Sequence, residues 1–321
     1  MDSIIVSGGQ RLNGTVSTSG SKNAALPILF ASLLADGRHH FDNVPELKDI
    51  ESTQQLLASL GATSERQGGS LLVDVEAPAA HVADYDMVRK MRAGILCLGP
   101  LLARYGEARV SLPGGCAIGS RPIDLHIETM RRLGADISSE GGYVVARAQR
   151  LVGDRILFEK VTVGGTENAL MAASLASGTT VIENAAKEPE VVDLANYLIA
   201  MGARIEGVGS SVITVEGVDE LTPARHSIVA DRIEAGTLLI AGAITGGHVT
   251  VDCCVPEHLK SLITKMRDAG FRVDTSEDAI TVQATDSWRA VDIATAPYPL
   301  SLIHISEPTR RACRSRMPSS A

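Results

Sequence analysis

Apolar and polar positions along this chain repeat in one cycle, four times over. Glycines at 37, 106, 178 and 247 stand 69, 72 and 69 residues apart, and each precedes a short segment: R-H-H-F-D-N-V, E-A-R-V-S-L, T-T-V-I-E-N-A and H-V-T-V-D-C-C-V. Alternation at period two predicts half-buried strands there. Upstream of each glycine lies a stretch rich in small apolar residues, at 22–35, 89–104, 166–176 and 231–245. Such stretches predict helices buried on most sides. Downstream, an amphipathic helix ends at Gly61, Gly134, Gly202 or Gly270, spaced by 73, 68 and 68 residues, as a glycine C-cap would end it. Pro122, Pro189 and Pro256 stand near the starts of three of those helices, where a missing N–H costs little. Alternating strands at 70–75, 142–146, 212–215 and 279–282 follow. The unit reads helix, strand, helix, then two strands. A lone unit of this kind cannot bury its apolar face, so the pattern predicts an α/β repeat architecture.

After 290–294 the next cycle should open, but residues 301–321, S-L-I-H-I-S-E-P-T-R-R-A-C-R-S-R-M-P-S-S-A, carry neither period nor helix pattern. Four arginines against one glutamate give this tail a charge of +3 in a chain whose total is −8. Residues 300–310 look like a translated sequencing adaptor, so 300–321 is expected to be a non-native tail. Over the whole chain 45% of residues are apolar but only 3% aromatic, so the core must be built from Ala, Val, Ile and Leu. No apolar run approaches the roughly 18 residues that span a bilayer, and no signal-peptide pattern opens the chain. The five cysteines show neither ligand spacing nor a disulfide framework, which suits a reducing cytoplasm. The negative balance argues against a nucleic-acid partner.

Candidate chemistry gathers in S-L-P-G-G-C-A-I-G-S-R-P-I-D, residues 111–124. Cys116 lies among glycines, five residues before Arg121, and a fixed cation favours the thiolate. The buried helices begin at polar turns, and helix N-termini favour phosphate; Lys22, Arg92 and Arg121 add full charges. No G-x-x-x-x-G-K-[ST] loop is present, so phosphoryl transfer from ATP is not indicated. Lys48, Asp49, Glu188 and Glu190 open amphipathic helices, where carboxylates serve the helix dipole. Asp231 and Arg232 stand where a second domain should begin. His39, His40 and His126 show no metal-ligand spacing and are expected to be solvated or hydrogen-bonded, and Trp288 is expected to pack.

S-G-S-K-N-A-A-L-P at 19–27, M-R-A at 91–93, L-P-G-G-C-A-I-G-S-R-P-I-D-L-H at 112–126, E-N-A-A-K-E-P-E at 183–190 and A-D-R-I-E-A-G-T at 230–237 resemble the UDP-N-acetylglucosamine 1-carboxyvinyltransferase family. The likeness runs from Met1 to about Pro299. It implies an inverted α/β barrel of helix–strand repeats in two domains. Residues 22–229 would form a complete three-repeat domain with the Cys loop and sugar-nucleotide site. Residues 1–21 plus 230–299 would form a partial second domain. It also implies transfer of the enolpyruvyl group of phosphoenolpyruvate to the sugar 3-hydroxyl, the first committed step of peptidoglycan synthesis. No cofactor or metal is called for, and a cytoplasmic monomer is expected, without membrane or nucleic-acid partner.

By the same resemblance Cys116 is the proton donor, able to form a covalent adduct and to react with fosfomycin. Lys22 and Arg121 hold the phosphate, Arg92 lies beside the sugar nucleotide, and Asn23 positions the sugar. Arg121, Pro122, Ile123, Asp124 and Leu125, with Lys160, Val161, Thr162 and Val163, line the uridine diphosphate site. In that family the general-base aspartate follows T-A-P-x-P; here Thr295 to Pro299 is present and the pattern is then lost. Weak sugar-nucleotide binding without turnover is therefore expected. A non-catalytic sugar-nucleotide-binding fragment is the main alternative. The enzyme that acts on shikimate 3-phosphate is a lesser one, because it lacks the P-G-G-C loop.

Overall fold

The structure is a computed structural model; it describes residue 5 and residues 7–76, 82–83, 92–111, 123–293 and 298–299. The chain divides into two compact units, Gly20–Val229 and Met1–Ser19 with Ala230–Ala321.

In the Gly20–Val229 unit the cycle appears three times. The first comprises α1 (Lys22–Ala31), β2 (Gly37–Asp42), α2 (Lys48–Ser59), β3 (Ala62–Gln67) and β4 (Ser70–Val75). The second has a 3₁₀ turn (Arg92–Cys97), α3 (Leu98–Tyr105), β6 (Glu107–Ser111), α4 (Asp124–Arg132), β7 (Asp136–Glu140) and β8 (Tyr143–Arg147). The third has α5 (Val163–Ala173), β10 (Thr179–Glu183), α6 (Pro189–Ala200), β11 (Arg204–Glu206) and β12 (Val212–Glu216).

Each cycle forms its own four-stranded sheet, because a short strand joins parallel to the leading one. These joining strands are β5 (Val82–Ala83) beside β6, β9 (Arg155–Leu157) beside β10, and β13 (Arg225–Ser227) beside β2. Strands this short carry too few residues to show a period, and the sequence pattern misses them. The unit closes on itself through β13, which lies at the end of its chain and pairs with its first strand.

The small-residue helices form the interior. Every residue of α1 from Ala24 to Ala31 and every residue of α5 from Gly165 to Ala173 is buried. Strands such as β4 bury alternate residues against them (Leu71, Val73 and Val75). Helices inside and sheets outside make the barrel an inverted one. Among the described residues the strands remain in separate sheets and close no β-barrel.

Helix limits differ from the periodicity in each of the first three cycles. The first helix gives way to a 3₁₀ turn at Ser32–Leu34, residues 92–97 of the second form a 3₁₀ turn so that its α-helix starts at Leu98, and α5 begins at Val163 rather than 166 because Thr162 caps it. The capping glycines Gly61, Gly134, Gly202 and Gly270 all have left-handed φ, between 89° and 106°. Glu188 and Glu190 stand at the N-cap and in the first turn of α6, as expected, and both are buried. His39 is buried too. Its Nε2–H donates to the Ala35 carbonyl (3.2 Å), so Nδ1 accepts from the Tyr197 hydroxyl (2.6 Å).

The other unit holds the fourth cycle: α7 (Arg232–Ile244), β14 (His248–Asp252), a 3₁₀ turn (Pro256–Leu259), α8 (Lys260–Asp268), β15 (Arg272–Thr275) and β16 (Ile280–Gln283). Its parallel strand is β1 (Asn13–Ser17), which pairs with β14 from Asn13↔His248 to Ser17↔Asp252. Asp231 caps α7, accepting from the N–H groups of Ile233 and Glu234, and the Arg232 guanidinium lies 5.4 Å from the Tyr298 ring centre. Gly246, just before β14, has left-handed φ, and Trp288 is exposed rather than packed. No helix among the described residues is long and apolar enough to cross a membrane.

Candidate functional site

Lys22 opens α1 behind the N-cap of Ser21, whose hydroxyl accepts from the Ala24 N–H. Its ammonium pairs with Asp49 in the first turn of α2 at 2.8 Å, both side chains being partly exposed. Asn23 is exposed beside it. Pro27, one turn on, has no N–H to offer the Asn23 carbonyl, so that acceptor lacks its usual intrahelical donor. Arg92 begins the 3₁₀ turn that leads into α3. Cys116, Arg121 and Pro122 lie outside the described residues.

The segments expected to line the uridine diphosphate site meet at one point. Ile123 and Asp124 form the start of α4, where Asp124 is exposed and Ile123 and Leu125 pack partly against the core. Lys160 and Val161 are exposed at the entrance to α5. Thr162 caps that helix, accepting from the Gly165 N–H (3.2 Å), and Val163 is its first residue. Between the two helix starts sits His126, against Gly164: a methyl on Gly164 would come within 3.3 Å of His126 Nε2. Burial pushes the imidazole down to about 4.

The sequence pattern left out two kinds of residue here. Asn168 is wholly buried and touches three segments: its Oδ1 accepts from the Gly99 N–H (2.9 Å), and its amide faces the Ile95 carbonyl (3.1 Å) and His126 Nδ1 (2.9 Å). Glu167, the residue before it, is buried as well. Desolvation raises its carboxyl to about 8, with the charges of Glu190 and Glu188 adding to the effect. Asn168 and Glu167 both lie in V-G-G-T-E-N at 163–168, which the sequence shows only as a polar turn at the start of a buried helix. Cys97, by contrast, is wholly buried, and burial pushes its thiol up to about 12. Among the described residues no group of His, Cys, Asp or Glu could hold a metal ion.

A sequence profile of the EPSP synthase (3-phosphoshikimate 1-carboxyvinyltransferase) family matches residues 6–307. The UDP-N-acetylglucosamine 1-carboxyvinyltransferase of Bdellovibrio bacteriovorus is 63% identical over 297 residues, which are 92% of this chain and 72% of that protein. The protein of the same name from Geotalea daltonii is 50% identical over 299 residues, 93% of this chain and 72% of its own. Among solved structures, the enolpyruvyl transferase NikO from Streptomyces tendae superposes with a TM-score of 0.77 at 23% identity, covering 87% of this chain and 67% of its own. EPSP synthase from Acinetobacter baumannii gives 0.68 at 19% identity, covering 88% and 67%.

Proposed function

The chain belongs to the UDP-N-acetylglucosamine 1-carboxyvinyltransferases, within the EPSP synthase family, and from that premise we propose that its site serves enolpyruvyl transfer from phosphoenolpyruvate to the 3-hydroxyl of UDP-N-acetylglucosamine. The Gly20–Val229 unit carries the sugar-nucleotide half. Ile123, Asp124 and Leu125 take one side of the uridine diphosphate and Lys160, Val161, Thr162 and Val163 the other. This reading is supported above all by the contact that brings those two segments together, His126 against Gly164.

Chemistry begins with a proton passed from Cys116 to the methylene carbon of phosphoenolpyruvate, which leaves a cationic centre at the carbon bearing phosphate. The sugar 3-hydroxyl attacks that centre and gives up its proton. Loss of phosphate, with a proton from the new methyl group, then restores the double bond as an enol ether. Lys22 and Arg121 hold the phosphate throughout, Asn23 positions the sugar and Arg92 lies beside the nucleotide. Most of the acceleration comes from orienting two anionic reactants and stabilising charge as it develops.

Binding and acid chemistry test the proposal directly. Calorimetry with UDP-N-acetylglucosamine should show binding, and fosfomycin should label Cys116 once by mass spectrometry. Absence of both binding and labelling overturns the proposal.

A further inference from the structure

Asn168 is more than a buried amide in a helix. Its orientation is dictated by the backbone: the Gly99 N–H can only donate, so it faces Oδ1, and the Ile95 carbonyl can only accept, so it faces Nδ2. The remaining amide hydrogen therefore points at His126 Nδ1, 2.9 Å away, and that nitrogen must accept. An imidazole that accepts at Nδ1 and is neutral carries its hydrogen on Nε2. A methyl on Gly164 would crowd that nitrogen, at the turn where residues 160–163 enter α5. The same amide also ties down the 3₁₀ turn that begins at Arg92. Gly99 is required opposite it, since a Cβ there would fall 2.5 Å from Asn168 Oδ1.

We propose that Asn168 is a positioning residue of the sugar-nucleotide site: it holds His126 as a neutral Nε2–H donor between the two segments that take the uridine diphosphate. The inference rests on the functional reading above and adds an atom to it. The site thereby recognises an anionic oxygen through a fixed hydrogen bond, without a cation that comes and goes with pH. Among the described residues, burial is the cause that acts on the His126 titration, and no charged side chain contributes.

Two measurements on the 321-residue chain test this. In the ligand-free protein, ¹⁵N imidazole spectra should show His126 as the neutral Nε2–H tautomer from about pH 5.5 to 8, where an ordinary histidine titrates. An Nδ1–H tautomer, or protonation near the ordinary histidine value, overturns the proposal whatever the ligand. Calorimetry with UDP-N-acetylglucosamine forms the second arm. Asn168→Asp presents a carboxylate to Nδ1, should make the imidazole cationic, and should introduce a pH step in affinity that the parent lacks. His126→Gln, which keeps a donor near Nε2, should bind within about threefold of the parent, whereas His126→Asn should lose about tenfold, the scale of one hydrogen bond to a charged group. Equal affinities for the two His126 variants overturn the role in binding, and if Asn168→Asp does not fold, this pair decides. A parent chain that binds no sugar nucleotide at all counts against the functional reading instead, and leaves the tautomer measurement to judge Asn168.

Discussion

At the scale of single residues, the internal repeats act as controls for one another. Asn43 and Asn184 leave their strands with left-handed φ of 56° and 55°, and each amide donates to a backbone carbonyl at 2.9 Å, of Ile228 and Phe158 respectively. The fourth cycle places Cys253 at the same point, with φ 53°. Thr18 is the matching neighbour, because its N–H bonds the Asp252 carbonyl as Ile228 and Phe158 bond those of Asp42 and Glu183. Cysteine neither favours this backbone nor makes the amide bond. Cys253→Asn should therefore stabilise its unit by about 1 kcal/mol, the worth of one hydrogen bond, read as a higher denaturant midpoint. Lys22 offers a second test. Its partly exposed pair with Asp49 contributes under about 1 kcal/mol. Asp49→Asn should leave the melting temperature nearly unchanged while freeing the ammonium, so phosphoenolpyruvate should bind a few-fold more tightly by calorimetry; weaker binding would mean that Asp49 orients Lys22 for the phosphate.

Among the elements, departures from the repeat mark function. Residues 43–47 link β2 to α2 and residues 184–188 link β10 to α6, five in each case, whereas residues 112–123, twelve of them, separate β6 from α4. The longer connection is the one that carries Cys116. Helix α5 departs differently: it buries Glu167 and His126's partner Asn168, whereas the buried residues of α1, Ala24 to Ala31, are all apolar. Glu167 and His126 oppose each other in pH. Glu167 has its pKa raised to about 8, so the folded state holds more protons than the unfolded above the ordinary value of 4.5, and stability falls as pH rises toward 8. His126 has its pKa lowered to about 4 from 6.5, so stability falls as pH drops through that interval. Stability should pass through a maximum between these limbs. Glu167→Gln should flatten the alkaline limb and gain about 4 kcal/mol at pH near 8, from the size of the shift. Chemical denaturation at several pH values measures it, and an unchanged alkaline limb would show that Glu167 ionises freely.

For the whole molecule, the two units differ in how completely they are covered. In Gly20–Val229 the central helices are sealed and β13 completes the first sheet. In the other unit α7 leaves Ile244 70% exposed, and Leu238 and Ile240 only partly buried. A 20–229 fragment should fold alone with one cooperative thermal transition, and in the full chain it should melt after the other unit; a fragment without cooperative melting refutes this. Ile244→Lys should reduce aggregation of the full chain without lowering either transition, since the residue already faces solvent. Much of this architecture was legible beforehand. The repeat, the buried helices, most of the strands, the capping glycines and the family followed from neighbouring residues, because period, capping and motif are local properties of a chain. Tertiary structure alone decided that β13 pairs with a strand far earlier in sequence, that His126 meets Gly164, and that Glu167, Glu188 and Glu190 are buried near one another. Those outcomes depend on which distant segments share a place. No local period records that, because a side chain's burial and partners are set by neighbours that arrive only when the sheets and helices close.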